Sequence, residues 1–403
     1  MSYNPKVGTI KNKPWVLYIL IFPLVAWGIV YFLLAQFSDV RLQDPEQPSD
    51  FLMYLTGARI VQEGKITHLY DYETQRSYQR SISNTVPATL VTGILAFRTP
   101  PITAVLYSLL PIEDPVKSFW IVVLINSVCI VTAIYLLSGS FVKTCVISTI
   151  ATFFLAFWMT LIGGHPNGVL LLIIASAFTA LKHNRPGFAG VLTGFLFLKP
   201  TFLLFVPFAF LLTKNRKQLV SFALHFIATM LLLVAMNTAL FGTSFIKTYV
   251  PYLFSSENEN HGTDLINNTN ITAFIYSVQK WLGIAQNTWA AIGAVVALNV
   301  FTLLVIYKKR ASFSQEHLFG LVCLFLPLLN VHTMHTDLLV HLAPLALIVG
   351  TLLNNKRWLL ATGLLLVLIV LPWYSLADLE WLITLVMLGT GFIFLKNPAW
   401  LRK

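Results

Sequence analysis

Long apolar runs dominate this sequence and restrict it to folds that can reside in a lipid bilayer. The first, residues 14–36 (PWVLYILIFPLVAWGIVYFLLAQ), is long enough to cross roughly 30 Å of hydrocarbon. Only 11% of the residues are charged, against about 25% in soluble domains. Lipid offers no hydrogen-bond partners to backbone N–H and C=O groups, so a chain that crosses it satisfies these groups internally, as an α-helix does. We predict an all-α polytopic membrane protein with about 11–12 transmembrane helices, from further runs at 115–137, 143–162, 167–182, 187–213, 217–240, 287–307, 315–331, 336–353, 357–373 and 376–396.

The positive charges concentrate in short connections between the apolar runs. The net charge is +11, with clusters at 214–217, 308–310, 356–357 and 396–403. This is the pattern of cytoplasmic loops, so the surplus indicates topology rather than a nucleic-acid partner. We predict a multi-pass protein of the plasma (inner) membrane, with cytoplasmic N- and C-termini and an uncleaved first span.

Two polar excursions, residues 37–87 and 241–285, interrupt the apolar runs. By parity with the basic loops, we predict that both are extracytoplasmic loops of one integral membrane domain covering 1–403. The topology between them depends on two apolar stretches that contain proline, 87–111 and 187–213. We favour broken, re-entrant or hairpin-like segments, since proline disrupts a helix. Plain spans are the alternative and would invert the early topology.

The first polar excursion contains two amphipathic stretches. SDFLMYLTGARIVQEG predicts a helix that ends at Gly64, and DYETQRSYQRSIS predicts a second short helix. Both suit helices that lie along a membrane surface. Asp50 begins the first one, where a carboxylate is either an ordinary helix-start residue stabilised by the dipole or a general base. Tyr54 and Gly57 follow on the same face, and Gly57 would let another element approach closely.

Three polar features interrupt the apolar middle of the chain. Arg98, in FRTPP, is either next to a helix break or available to an anion. His165 and Asn167, in GGHPNG, form either a tight interhelical turn or an anion site at a helix start. Lys199 lies in GFLFLKPTFLLF, where it either reaches a membrane interface or has a functional role, for which a phosphate is a suitable partner.

Two further polar features lie in the C-terminal half of the chain. Asn270, in NNTNITAF, belongs to an N-x-T sequon that is either a glycan acceptor or part of a sugar site. His332 and His335, in NVHTMHTDLLVHL, are three residues apart and near one helix face. A metal site would need further ligands, so hydrogen bonding to a phosphate or to sugar hydroxyls is the favoured interpretation.

In their order along the chain, these motifs resemble glycosyltransferase family 87. The resemblance covers most of the chain and rests on order and membrane layout, because no single motif is very specific. The matching elements are D-F-x-x-Y at 50–54, HLYD at 68–71, an aromatic-x-x-P-P element at 97–101, G-x-x-N at 164–167, K-P at 199–200, N-x-T at 270–272 and the histidine-rich 332–337. The sequence departs from many relatives at Gly164–His165, where they have Gly-Gln.

The resemblance implies a GT-C fold and an inverting transferase without a metal or cofactor. The donor would be a polyprenyl-phosphate sugar, most often of mannose, and the acceptor a hydroxyl of a lipid or glycan on the extracytoplasmic face. The family's acidic residue corresponds to Asp50, as general base. We expect Lys199, Arg98, His332 and His335 to bind the donor phosphate, and Tyr54, His165, Asn167 and Asn270 to contact acceptor or sugar.

Three other functions are compatible with a polytopic chain of this composition. A GT-C transferase that uses another lipid-linked sugar, such as a pentose or glucose, would have the same general pattern. A transporter or flippase of a lipid-linked glycan would be expected to show an inverted repeat, and none is evident. A structural membrane component would leave Asp50, Lys199 and the histidines unexplained.

Overall fold

The computed structural model describes residues 14–41, 50–83, 95–258, 270–285, 288–330, 333–372 and 380–401. In these ranges the secondary structure is helical throughout, with no β-strand. The predicted class, an all-α polytopic membrane protein, is confirmed. His332 lies outside the described residues, as do Pro48 and Ser49 before Asp50.

The N-terminal part contains one long apolar helix followed by short ones. Both helices predicted in the first polar excursion are confirmed, and Gly64 ends the first with a φ of +73°. The elements are α1 (Pro14–Arg41), α2 (Phe51–Gln62), α3 (Tyr72–Ser83) and α4 (Pro101–Tyr107).

The central part alternates long and interrupted helices. Its elements are α5 (Pro115–Ser138), α6 (Phe141–Ala151), α7 (Leu155–Ile162), α8 (Asn167–Lys182), α9 (Pro186–Gly194), α10 (Phe205–Leu212), α11 (Arg216–Phe241) and α12 (Phe245–Asn258).

The C-terminal part contains further apolar helices, with π-helical turns at Leu345–Val349 and Leu366–Val370 and a 3₁₀ helix at His335–His341. The α-helices are α13 (Ile271–Trp281), α14 (Thr288–Lys309), α15 (Gln315–Phe325), α16 (Leu342–Pro344), α17 (Gly350–Asn354), α18 (Trp358–Leu365) and α19 (Glu380–Lys396).

Several of these helices have the length and composition of membrane spans. Among the described residues, four helical segments are long and apolar enough to cross a membrane, namely Pro115–Ser138, Arg216–Phe241, Trp289–Ser312 and His335–Leu352. Shorter apolar helices cover Ile21–Gln36, Asn167–Lys182, Pro186–Leu198, Pro200–Leu212, Trp358–Val370 and Leu382–Lys396.

The apolar run predicted at 143–162 is divided into α6 and α7 by a bend of 78°. Taken together, the two helices have the length and apolar composition of one broken span. The bend contains neither proline nor glycine. Instead, the N–H groups of Phe153 and Phe154 donate to carbonyls three residues back, and the Trp158 indole N–H donates to the Thr152 carbonyl at 2.7 Å. The side chain of Trp158 thus provides a hydrogen bond to a carbonyl that, in a straight helix, would accept from a backbone N–H of the same helix.

The break predicted at Lys199–Pro200 is confirmed. Lys199 has an extended backbone (φ −139°, ψ 94°) between two 3₁₀ segments, Phe195–Leu198 and Pro200–Leu204. The Thr103 hydroxyl donates to the Leu198 carbonyl at 3.0 Å, which satisfies a backbone group that the broken helix cannot pair. Irregular backbone within an apolar segment is tolerated where protein covers it in this way. Whether the segment is re-entrant stays a prediction.

Close packing brings α2 against the stretch that precedes α4. A Cβ atom at Gly57 would lie 2.8 Å from the Phe97 ring, so the close approach predicted at this glycine is confirmed. The 3₁₀ helix His335–His341 packs against α7 and α8. As a result the start of α2, the turn before α8, the break at Lys199 and the 3₁₀ helix surround one polar region within an otherwise apolar interior.

Candidate active site

Asp50 and His165 form a hydrogen-bonded pair at the start of α2. The imidazole Nε2 of His165 lies 3.0 Å from Oδ2 of Asp50, although the residues are 115 positions apart. The imidazole is buried, whereas the carboxylate side chain is 33% exposed. Asp50 makes no side-chain capping hydrogen bond to α2. Its carboxylate therefore points to another element instead of serving the helix that it begins.

Tyr54 occupies the other nitrogen of the same imidazole. Its hydroxyl lies 3.1 Å from Nδ1 of His165, and its ring stacks on Tyr107 with centroids 4.5 Å apart. Burial raises the pKa of Tyr54 well above its ordinary value, so this phenol keeps its proton. With the carboxylate ionised, Nε2–H donates to Asp50 and Nδ1 accepts from Tyr54, which defines one neutral tautomer of His165.

The surroundings of Asp50 favour the ionised carboxylate. Burial alone would raise the pKa of Asp50, but the hydrogen bond from His165 and the positive charges of Lys199 and Arg98 act in the opposite direction. The net result is a pKa below the ordinary value for aspartate. In the part of the chain that the structure describes, no hydrogen bond is made by Oδ1, so this oxygen remains available to a ligand.

The GGHPNG turn carries His165 and is braced from several sides. The Tyr107 hydroxyl donates to the Gly164 carbonyl at 2.7 Å, and the Gly168 N–H donates to Oδ1 of Asn126 at 2.9 Å. The turn was predicted to be either a tight interhelical connection or an anion site. The residues form a tight connection between α7 and α8, and one N–H at the start of α8 is paired with Asn126; an anion site at this helix start stays a prediction.

We expect Gly164→Ala to destabilise the protein by about 1–3 kcal/mol. Gly164 has a φ of +59°, and a Cβ at this position would lie 2.3 Å from the Phe51 ring. The substitution would therefore strain the turn and displace His165. Gly293→Ala is the matched control, because Gly293 lies within α14 with open space around it. Thermal unfolding in detergent should show a lower midpoint for Gly164→Ala alone; equal midpoints would contradict the argument.

A second polar cluster lies next to the first and is centred on Asp337. Lys199 Nζ forms an ion pair with Oδ1 of Asp337, and Asn167 Nδ2 donates to the same oxygen at 3.0 Å. Lys199 Nζ also lies 3.3 Å from Oδ1 of Asn167, and the Met334 N–H donates to Oδ2 of Asp337 at 3.1 Å. The Lys199 ammonium group thus has a carboxylate and an amide as protein partners, and its role toward a donor phosphate stays a prediction.

The remaining predicted residues have different surroundings. Asn167 is 1% exposed, with its amide committed to the second cluster. Arg98 is half-buried and close enough to lower the pKa of Asp50. Asn270 is fully buried and caps α13 by accepting from the Ala273 N–H at 3.0 Å. His335 begins the 3₁₀ helix and is half-buried. Their roles toward donor or acceptor stay predictions.

Asp337 and Tyr107 are central to these clusters but were not proposed as site residues from the sequence. A signal existed for Asp337, because a carboxylate inside an apolar segment requires a partner, and the intramembrane Lys199 requires one as well. Tyr107 gave no comparable signal. Its position next to Tyr54 and the Gly164 carbonyl follows only from the tertiary packing of α4.

Comparison with known proteins gives the family. The model of glycosyltransferase family 87 matches residues 97–330, more than half of the chain, and the chain belongs to this family. It is therefore a glycosyltransferase with membrane helices. The matched region contains His165 and Lys199, whereas Asp50 and Asp337 lie outside it. No curated protein matches the sequence.

Proposed function

We propose that the chain is an inverting glycosyltransferase that moves a hexose from a polyprenyl-phosphate carrier to an acceptor hydroxyl, with mannose as the favoured sugar. The observation that carries this proposal is the state of Asp50: an ionised carboxylate, partly exposed, with one oxygen held by a buried histidine and the other unpaired among the described residues. A carboxylate in this arrangement can accept a proton from a hydroxyl.

The reaction needs few groups beyond this base. As the acceptor oxygen attacks the anomeric carbon, its proton passes to Oδ1 of Asp50. The bond between the anomeric carbon and the phosphate oxygen breaks, and its electron pair leaves with the lipid phosphate. Attack on the face opposite the leaving group inverts the configuration. Because a phosphate is already a stable anion, no general acid is required, and cationic side chains suffice to stabilise its charge.

Arg98 and Lys199 are the cations that we propose for the donor phosphate. Both are close enough to Asp50 for their charges to lower its pKa. Arg98 is half-buried, whereas Lys199 is only 9% exposed. By exposure, Arg98 is the more accessible of the two. Arginine also presents several donors in a planar fork, which matches phosphate oxygens.

An apolar groove supports a lipid-linked donor. It has a volume of about 920 Å³ and lies between α1, the bend that precedes α7 and the π-helical turn after α18. Its walls include Phe22, Val25, Phe153, Trp158 and Ile369. The bend leads through α7 to the turn that carries His165. A hydrocarbon chain would bury its surface against these apolar side chains, whereas a nucleotide sugar has no hydrocarbon chain to place there.

A transfer assay with defined donors tests the proposal. Purified enzyme in detergent is given radiolabelled polyprenyl-phosphate mannose, or the same sugar on a nucleoside diphosphate, with a total lipid and glycan extract as acceptor. We expect label to move only from the polyprenyl-phosphate donor, with inversion at the anomeric carbon. Transfer from the nucleotide sugar alone would refute the lipid-linked donor, and retention would refute the single displacement. Polyprenyl-phosphate glucose and pentose distinguish the sugars.

A further inference from the structure

Three groups form a chain of hydrogen bonds that ends at Asp50. The Tyr54 hydroxyl lies 3.1 Å from Nδ1 of His165, and Nε2 of His165 lies 3.0 Å from Oδ2 of Asp50. His165 was expected to contact sugar or acceptor. Both of its ring nitrogens are instead engaged within the protein, and its side chain is 3% exposed. A ligand therefore reaches Asp50, which is partly exposed, more readily than it reaches this imidazole.

We infer that His165 is a positioning residue for Asp50, and that Tyr54 fixes the tautomer in which His165 performs this role. The inference rests on the proposed function of Asp50 as general base. By donating to Oδ2, the imidazole directs Oδ1 toward the open side of the site. By accepting at Nδ1, it is held with its proton on Nε2, where that proton faces the carboxylate.

The packing around His165 is consistent with a fixed orientation. A Cβ atom at Gly163 would lie 2.6 Å from Cδ2 of the imidazole, so the glycine is needed for the ring to occupy its place. The Tyr54 ring meets the imidazole edge to face, with centroids 5.6 Å apart. The imidazole N–H is thus aimed by packing as well as by hydrogen bonds, which is the condition for supporting a reactive group.

The inference has a consequence for pH dependence, because Asp50 must be ionised to act. The hydrogen bond from His165 lowers the pKa of Asp50, as do the positive charges of Lys199 and Arg98. Burial acts in the opposite direction, and Tyr107 and Asp337 are the other titratable groups near Tyr54. Without the hydrogen bond from His165, the effect of burial is less compensated and the pKa of Asp50 rises. As the pH is lowered, activity should then be lost at a higher pH than in wild type.

The experiment measures kcat/KM between pH 3 and 8 for purified wild type, Asp50→Asn, His165→Ala, His165→Gln and Tyr54→Phe. The probe is radiolabelled polyprenyl-phosphate mannose with the acceptor extract. For His165→Ala we expect roughly a tenfold or greater loss at neutral pH and an acid limb displaced to higher pH. His165→Gln should recover most of the rate, since an amide can also donate to Asp50 and accept from Tyr54.

The outcomes separate this inference from the proposed function. If Asp50→Asn is inactive but His165→Ala keeps the wild-type pH profile, the inference is wrong and the base remains. If Asp50→Asn is active, the proposed function itself fails. Equal losses in His165→Ala and His165→Gln without a change in profile would reduce His165 to a packing role. If His165→Ala does not accumulate, Tyr54→Phe provides the test. Its acid limb should also lie at higher pH than that of wild type, by a smaller amount, and an unchanged acid limb overturns the inference.

Discussion

Asp50→Asn is expected to reduce sugar transfer by roughly 10²–10⁴-fold, the range associated with loss of a general base. The amide that replaces the carboxylate is nearly the same size but cannot accept the proton from the acceptor hydroxyl. Because Oδ1 has no hydrogen bond among the described residues, few contacts are lost. The measurement is transfer from radiolabelled polyprenyl-phosphate sugar in membranes that contain equal amounts of wild-type and variant protein.

The same substitution also tests the alternative that Asp50 only begins a helix. Asparagine is as effective as aspartate at a helix N-terminus, so a capping role predicts full activity in Asp50→Asn. Asp50 also has helical backbone angles (φ −54°, ψ −18°) without a side-chain cap. Glu63→Gln is the matched control, since Glu63 lies at the other end of α2 in contact with Arg59 and Lys65. Equal transfer by wild type and Asp50→Asn would show that Asp50 is not the general base.

Features that depend on local sequence were predicted well. The helices on both sides of the HLYD motif follow from apolar periodicity and from Gly64, and the break at Lys199–Pro200 follows from the missing N–H of proline. The close approach at Gly57 follows from its size and its place on the helix face. In each case a few neighbouring residues contain the physical cause.

Features that depend on contacts between distant residues could not be predicted from the sequence. The bend between α6 and α7 contains no residue that breaks helices, and it relies on the indole of Trp158. The partner of Lys199 is 138 positions away, so composition indicated that a partner was needed without indicating which. Similarly, Asp50 and His165 were each selected for their chemistry, but nothing in the sequence placed them in contact.

Breaking the buried ion pair between Lys199 and Asp337 is expected to destabilise the protein by about 3–5 kcal/mol. The side chains are 11% and 4% exposed, so removal of either partner leaves a charge without compensation in an apolar interior. Lys199→Met and Asp337→Asn should therefore both lower the unfolding midpoint in detergent. Lys182→Met is the matched control, because the Lys182–Glu316 pair (3.0 Å) is partly exposed and should contribute about 0–1 kcal/mol.

The double variant Lys199→Met/Asp337→Asn separates stability from function. Removal of both charges together should restore part of the lost stability, because the single carbonyl oxygen of asparagine at position 337 can still accept from either Asn167 or the Met334 N–H, though not from both. If this folded variant transfers sugar at the wild-type rate, Lys199 serves the fold and Arg98 is left as the cation for the donor phosphate. If it is stable and inactive, the charge at Lys199 acts on the reaction, because the packing role has been replaced. A double variant no more stable than either single variant would contradict the ion-pair argument itself.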